Sequence, residues 1–221
     1  ILNSSFELIY PRPIPEISPF FQEEFEYVLS SENPPFLLDD SISFNSKESG
    51  KLLLEKSTRE KLTQEDIQII QNCIEKYPSI IKNSNFSNSQ IDTMINFNKE
   101  VAKLYLSNTI DRIEIQEMIK NFDVSVTYVE IVQHLVLTHK LSDELFEQYV
   151  INSINRIQQT KDSNQQTCQV MLFCRFMMFL LSKKVGFSGN MRIELHSFCL
   201  LFSNKGIQEA QKLFNMFGIN K

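Results

Sequence analysis

The sequence predicts an all-α fold: a compact array of about ten antiparallel helices preceded by an extended, proline-rich N-terminal strap. Three observations predict it. Apolar residues recur at helical spacing almost without a break from about Ser49 onward. Two of these runs, at Thr63 and Ser142, open on Ser or Thr with acidic residues just behind, the chemistry of a helix N-terminus. Only 5 glycines stand in the 221 residues, and no run alternates apolar and polar as a half-buried strand would.

The elements follow in chain order. Tyr10-Pro11-Arg12-Pro13-Ile14-Pro15 has three prolines at alternate positions, each fixing φ and biasing its predecessor to extended geometry. Ser18-Pro19 opens a short helix whose apolar face is Phe20, Phe21, Phe25, Val28 and Leu29, ended by Asn33-Pro34-Pro35. Residues 1–46 are therefore a strap, docked on a body made of residues 47–221. The competing reading makes the proline segment a ligand for another protein's polyproline-reading groove. In the body, Leu52, Leu53 and Leu54 lie on a helix ending near Leu62. Thr63, with Glu65 and Asp66 behind it, caps a helix whose stripe is Ile67, Ile70, Cys73 and Ile74. Pro78 breaks that helix, and Ile80-Ile81 form a short turn. One helix carries Ile91, Met94 and Ile95, and the next Val101, Leu104, Tyr105 and Leu106. Helices over 111–121 and 125–139 follow. Ser142-Asp143-Glu144 then opens one with Leu145, Phe146, Tyr149, Val150, Ile154 and Ile157. The last three span 165–185, 188–202 and 207–217, with Gly186-Phe187-Ser188-Gly189 as a hinge.

Composition narrows the function. A net charge of −5 argues against direct nucleic-acid binding, which needs a basic face that displaces counterions. The most apolar stretch, Val170 to Leu181, is about 12 residues, short of the ~20 a membrane span needs. Arg175 interrupts it, and a lone Arg there needs a carboxylate on a neighbouring helix or a path to the surface. Cys73, Cys168, Cys174 and Cys199 each fall in an apolar helical pattern and read as reduced core residues. That places the protein in the cytoplasm, with the nucleus as a second compartment. The first residues lack the basic and apolar regions of a signal peptide, and the chain reads as a fragment of something longer.

The residue supply for catalysis is poor. No phosphate-cradling glycine loop, nucleophile elbow or H-E-x-x-H is present. His134 and His139 are five apart and point to different helix faces. His196 and Cys199 share a helix but make no closed metal site without a second pair. Asp39-Asp40 reads as a solvated loop rather than a two-metal site. Lys183-Lys184 reads as a cationic helix C-terminus favoured by the dipole. The expectation is no enzyme, no cofactor and no metal. The C-terminal helix, by contrast, crowds Leu213, Phe214, Met216 and Phe217 onto more apolar surface than one face buries. These four are the candidate protein-binding residues, part of a groove for an amphipathic helix. The competing reading has Phe214 and Phe217 capping the core.

The order of features carries a family resemblance. Leu8-Ile9-Tyr10-Pro11-Arg12-Pro13 is followed by Glu23-Glu24-Phe25-Glu26-Tyr27-Val28-Leu29. Further on stand Tyr128-Val129-Glu130-Ile131-Val132, Leu141 through Phe146 and Tyr149-Val150-Ile151-Asn152-Ser153-Ile154. Ile193-Glu194-Leu195-His196-Ser197-Phe198-Cys199 and Ala210 to Phe214 follow the apolar helix. The chain resembles the C-terminal domain of subunit eleven of the Ccr–Not deadenylase complex. The resemblance implies a non-catalytic module acting in mRNA decay and gene regulation. It implies partners: subunit ten and the large scaffold subunit, reached through a region absent here, and adaptor proteins bound by this helical domain. Poly(A) shortening then belongs to other subunits. The segment 83–89 and the Asn, Gln and Ile usage depart from the family pattern. The alternative is a helical scaffold domain of another intracellular assembly, such as a trafficking or ubiquitin-ligase complex.

Overall fold

The computed structural model describes residues 47–219, and the strap with its Phe25 cluster, together with Asp39-Asp40, lies outside them. Among the described residues there are eleven helices and no strand. They are α1 (Lys47–Ser57), α2 (Gln64–Lys76), α3 (Ser79–Lys82), α4 (Asn88–Phe97), α5 (Lys99–Thr109), α6 (Ile113–Lys120), α7 (Val126–Leu137), α8 (Asp143–Gln159), α9 (Ser163–Ser182), α10 (Gly189–Asn204) and α11 (Gln208–Ile219).

Five of the eleven starts are set by side-chain caps. Thr63 and Asp66 form a capping box at α2, and Ser87 and Gln90 form another at α4. Ser142 and Ser188 cap α8 and α10 by accepting the N–H of Leu145 and Met191. Asp162 accepts the N–H groups of Asn164 and Gln165, so α9 begins two residues before the expected Gln165.

Two boundaries differ more from expectation. The first helix stops at Ser57, not near Leu62. Ser57 Oγ donates to the Leu54 carbonyl at 2.6 Å and Thr58 Oγ1 to that of Glu55 at 2.8 Å, so hydroxyls tighten the last turn. Residues 58–62 are then held by a side chain from elsewhere, Asn98. The segment expected as a turn at Ile80-Ile81 is a four-residue helix, α3, with both isoleucines buried.

In the N-terminal half α5 is the hub, packing on α2, α3, α4 and α7. Tyr105, Leu106, Val101 and Ala102 are its buried residues. Arg112 fastens the end of α3 by donating to the carbonyls of Ser84 at 2.9 Å and Lys82 at 2.6 Å. The chain passes to the C-terminal half through α7, which touches α4, α5 and α9. There α8 packs on α6, α9 and α10, and α11 lies along both α9 and α10. The inner faces of α9 and α10 supply Phe173, Phe176, Phe198 and Phe202, all buried. Each such side chain contributes on the order of 1.5–3 kcal/mol on burial.

Arg175 does find a carboxylate on a neighbouring helix. Its guanidinium donates to Glu209 of α11 at 2.9 Å, and that contact holds the Glu209 carboxyl below the usual carboxylate range. Cys73, Cys174 and Cys199 are buried, and burial raises all three thiols, that of Cys199 to about 12. Cys168 corrects the core assignment: it is exposed. It sits in the polar first turns of α9 among Gln165, Gln166, Thr167 and Gln169, before the apolar pattern starts at Val170.

Candidate protein-interaction surface

The candidate surface is built on the α10–α11 hairpin. On α10 the residues Met191, Leu195, Phe198, Cys199 and Phe202 point inward. The opposite face carries Ile193, 65% exposed, with Leu200 and Leu201 each 44% exposed. Ile193 and Leu200 are seven residues apart, so they line one stripe, with His196 and Ser197 between them. Elsewhere the exposed large apolar residues (Leu52, Phe97, Ile113 and Val126) occur singly on four different helices. Isolated cases need no explanation, whereas three on one helix face make a patch.

The four residues expected on α11 do not share one role. Leu213 is fully buried, so it is a core residue and not a contact residue. The reason is register: with Ala210 it forms the side of α11 that seats on α9 and α10. Phe217 is half-buried and lies 6.2 Å from the ring of Phe187, which stacks in turn near Phe146. It closes an aromatic row. Phe214 is half-buried and lies against His196 with ring centroids 4.5 Å apart. It therefore continues the α10 stripe onto α11. Met216 is half-buried beside them. The sequence reading missed Ile193, Leu200 and Leu201; their signal was apolar residues at positions opposite the α10 core stripe.

A cleft of about 610 Å³ opens at the C-terminal ends of α7 and α9. Val136, Leu141, Phe146, Val185 and Phe187 form its apolar lining, and His139, Lys183, Lys184 and Asp143 its polar one. One wall is fixed by Glu147 of α8. Its carboxylate accepts from Ser188 Oγ at 2.7 Å and from Asn190 Nδ2 at 2.9 Å. Those two hydrogen bonds pull its pKa below the usual carboxylate value. A second cleft, of about 540 Å³, has the opposite charge, with Asp92, Glu114, Glu117 and Asp123 around Met118 and Phe122. There Tyr128 donates to Asp92 at 3.0 Å, and burial together with that carboxylate pushes the phenol up to about 12.

His196 and Cys199 do not converge, because the imidazole is exposed on Phe214 and the thiol is buried in the core. Among the described residues no three of His, Cys, Asp and Glu gather as metal ligands would. Nor is any described helix long and apolar enough to cross a membrane.

With this geometry in hand, comparison with known proteins gives two findings. The family model described as CCR4-NOT transcription complex subunit 11 matches residues 95–217, more than half of the chain. A curated protein from Dictyostelium discoideum named CCR4-NOT transcription complex subunit 11 is 26% identical over 181 residues. That alignment takes in 80% of this chain and 28% of the relative, so the chain spans little more than a quarter of the relative's length.

Proposed function

The chain belongs to the family of CCR4-NOT transcription complex subunit 11, and from that premise we propose that it is a non-catalytic, adaptor-binding module of the CCR4-NOT complex, acting in mRNA decay and gene regulation. The observation that carries the reading is the patch of Ile193, Leu200 and Leu201 on α10, continued by Phe214 through His196. The whole patch lies within the residues that the family model matches. An apolar stripe at positions i and i+7, flanked by an aromatic residue of the next helix, suits an amphipathic helix laid along it. Such a partner would be an adaptor protein that brings the complex to a message or to a regulator. Contacts with subunit ten and the large scaffold subunit would fall to a region of the protein outside this chain. In this reading poly(A) shortening belongs to other subunits, and the working compartments are the cytoplasm and the nucleus.

The test uses the natural protein that carries this chain. Ile193→Asp with Leu200→Asp should keep the CCR4-NOT subunits on affinity purification and lose proteins outside the complex. Because both side chains are exposed, the melting temperature should not fall. Loss of the complex itself, or no change in any partner, would sink the assignment of this patch.

A further inference from the structure

We propose that the cleft at the ends of α7 and α9 receives a short acidic protein segment carrying an apolar anchor, with Lys184 and His139 as the residues that read it; the proposal deepens the interaction-module reading and rests on it.

Three helix ends are closed by the same motif. At the end of α10 the N–H of Gly206 donates to the Ser203 carbonyl at 2.9 Å, and the N–H of Ile207 to that of Phe202 at 3.1 Å. At the end of α9 Lys184 donates to Leu181 at 2.9 Å and Val185 to Leu180 at 3.1 Å. At the end of α7 His139 donates to Val136 and Lys140 to Leu135, both at 3.0 Å. Each is a Schellman turn, and each places one residue in the left-handed region, Gly206 at φ 84, Lys184 at 61 and His139 at 53. Glycine is the residue suited to that conformation, because a Cβ crowds the neighbouring carbonyl there.

The α10 end shows the relaxed solution. Lys205 occupies the C-cap, where a cation favours the helix dipole, and glycine takes the left-handed position. A Cβ on Gly206 would meet nothing within 4 Å, so only its backbone angle asks for glycine. The α9 end already has Lys183 at its C-cap, so the dipole does not call for a second cation. Lys184 nevertheless occupies the left-handed position, and His139 does so at α7. These two line the cleft, and Gly206 does not. Strain held at the two caps that face a cleft, and absent from the one that does not, points to use of those side chains.

Charge and shape then select the ligand. Phe146, Phe187 and Leu141 give the cleft an apolar lining for an aliphatic or aromatic side chain. Lys184 brings a cation to the lining, and Lys183 lines it with its stem while its ammonium lies 5.6 Å from the centre of the Phe179 ring, on a chain whose net charge is −5. An acidic segment is therefore read by a local field and not by the charge of the whole molecule. Asp143 lines the same cleft and disfavours carboxylates near it, which gives the segment a direction.

The experiment uses the full 221-residue chain. The probe is a fluorescein-labelled peptide of alternating Glu and Asp with Phe and Leu. Two controls replace its acidic residues with Ser or with Lys. Anisotropy should show saturable binding of the acidic peptide only, falling with added salt. K184G together with H139G should weaken it about tenfold. The same variant should melt at an equal or higher temperature, because glycine relieves both caps. A lower melting temperature would show that the two side chains serve the fold, and overturns the proposal. So do equal binding of the serine peptide, unchanged binding by the glycine variant, or displacement of the peptide by poly(A) RNA or by a second copy of the chain. Loss of partners by the Ile193→Asp variant, with no binding of the acidic peptide by the wild-type chain, overturns the cleft alone and leaves the module reading standing.

Discussion

The side-chain oxygen of Asn98 accepts the backbone N–H of Leu62 at 2.8 Å, across 36 residues of sequence. The amide nitrogen of the same residue donates to the carbonyls of Ser57 at 2.8 Å and Glu60 at 2.7 Å. Asn98 is 2% exposed and stands between α4 and α5. One side chain thus replaces the missing helix over residues 58–62 and fixes the α1–α2 connection to the hub helix.

Asn98→Ala should therefore destabilise the fold by about 2–4 kcal/mol, since it strands two buried backbone groups, the Leu62 N–H and the Ser57 carbonyl, and frees the part-buried carbonyl of Glu60. Asn98→Asp retains the acceptor for Leu62 but loses both donors and adds a buried charge, so it should be no milder. Urea melts check both. A cost for Asn98→Ala under about 1 kcal/mol would mean that the loop rearranges to satisfy itself.

Gly50 of α1 is the second backbone device. A Cβ at this position would stand 2.7 Å from Cys73 Cβ and 3.1 Å from Ile80 Cδ1. Both α2 and α3 approach α1 through the absent side chain. Gly50→Ala should cost about 1–3 kcal/mol by overpacking, although alanine is the better helix former. A gain in melting temperature would show that α1 can shift away.

These two residues mark the limit of what the sequence reveals. Periodicity and caps made the helices legible: Thr63, Ser142 and Ser188 open α2, α8 and α10 as their spacing predicts. Arg175 announced its need for a carboxylate, and Glu209 supplies one. Asn98 did not, because a polar residue between two helices looks the same whether it caps, turns or bridges to a loop far away in sequence. The exposed stripe of α10 was hidden for a related reason. Ile193, Leu200 and Leu201 sit in a helix that is apolar on most sides, and only the packing partner says which side is inside. Leu213 failed in the opposite direction, with an apparent surplus of apolar surface absorbed by contact with both α9 and α10.

Phe214 and Phe217 should separate under charge substitution. Phe217→Glu removes the ring beside Phe187 and should cost about 2–4 kcal/mol. Phe214→Glu loses the exposed imidazole and part of a contact with the core, with no buried ring partner, and should leave the fold standing at a smaller cost of about 1 kcal/mol. Thermal melts of the two variants rank them. The reverse order would mean that Phe214, not Phe217, closes the core.

Glu147 gives a pH dependence with a definite sign. Its carboxyl is depressed in the folded state by the hydrogen bonds from Ser188 and Asn190. A depressed carboxyl contributes stability above its unfolded pKa, and that contribution is lost as pH falls through the folded value. Glu147→Gln should therefore lower the melting temperature at neutral pH. The gap from wild type should shrink on acidification and close once the wild-type carboxyl is protonated. A gap that stays constant down to that point would show that the cost of glutamine does not come from losing the charged carboxylate, and no gap at neutral pH would show that amide and carboxylate hold the α10 cap equally well.

Thiol chemistry separates Cys168 from the other three cysteines. It sits on the exposed side of α9, and a shallow cleft lined by Val126, Arg156 and Leu172 reaches it. The thiols of Cys73, Cys174 and Cys199 are shielded, and burial raises their pKa, so little reactive thiolate forms at neutral pH. A native titration with a chromogenic disulfide should release one equivalent rapidly. The remaining three should follow only at the rate of unfolding, or at once in denaturant. Cys168→Ser should abolish the rapid phase without lowering the melting temperature, since a serine fits an exposed polar turn. Cys174→Ser should lower it, because the hydroxyl would replace a buried thiol among the aromatic rings of the C-terminal core. Two rapid equivalents in the native chain would show that α2, α9 or α10, the helices that carry the buried thiols, opens locally.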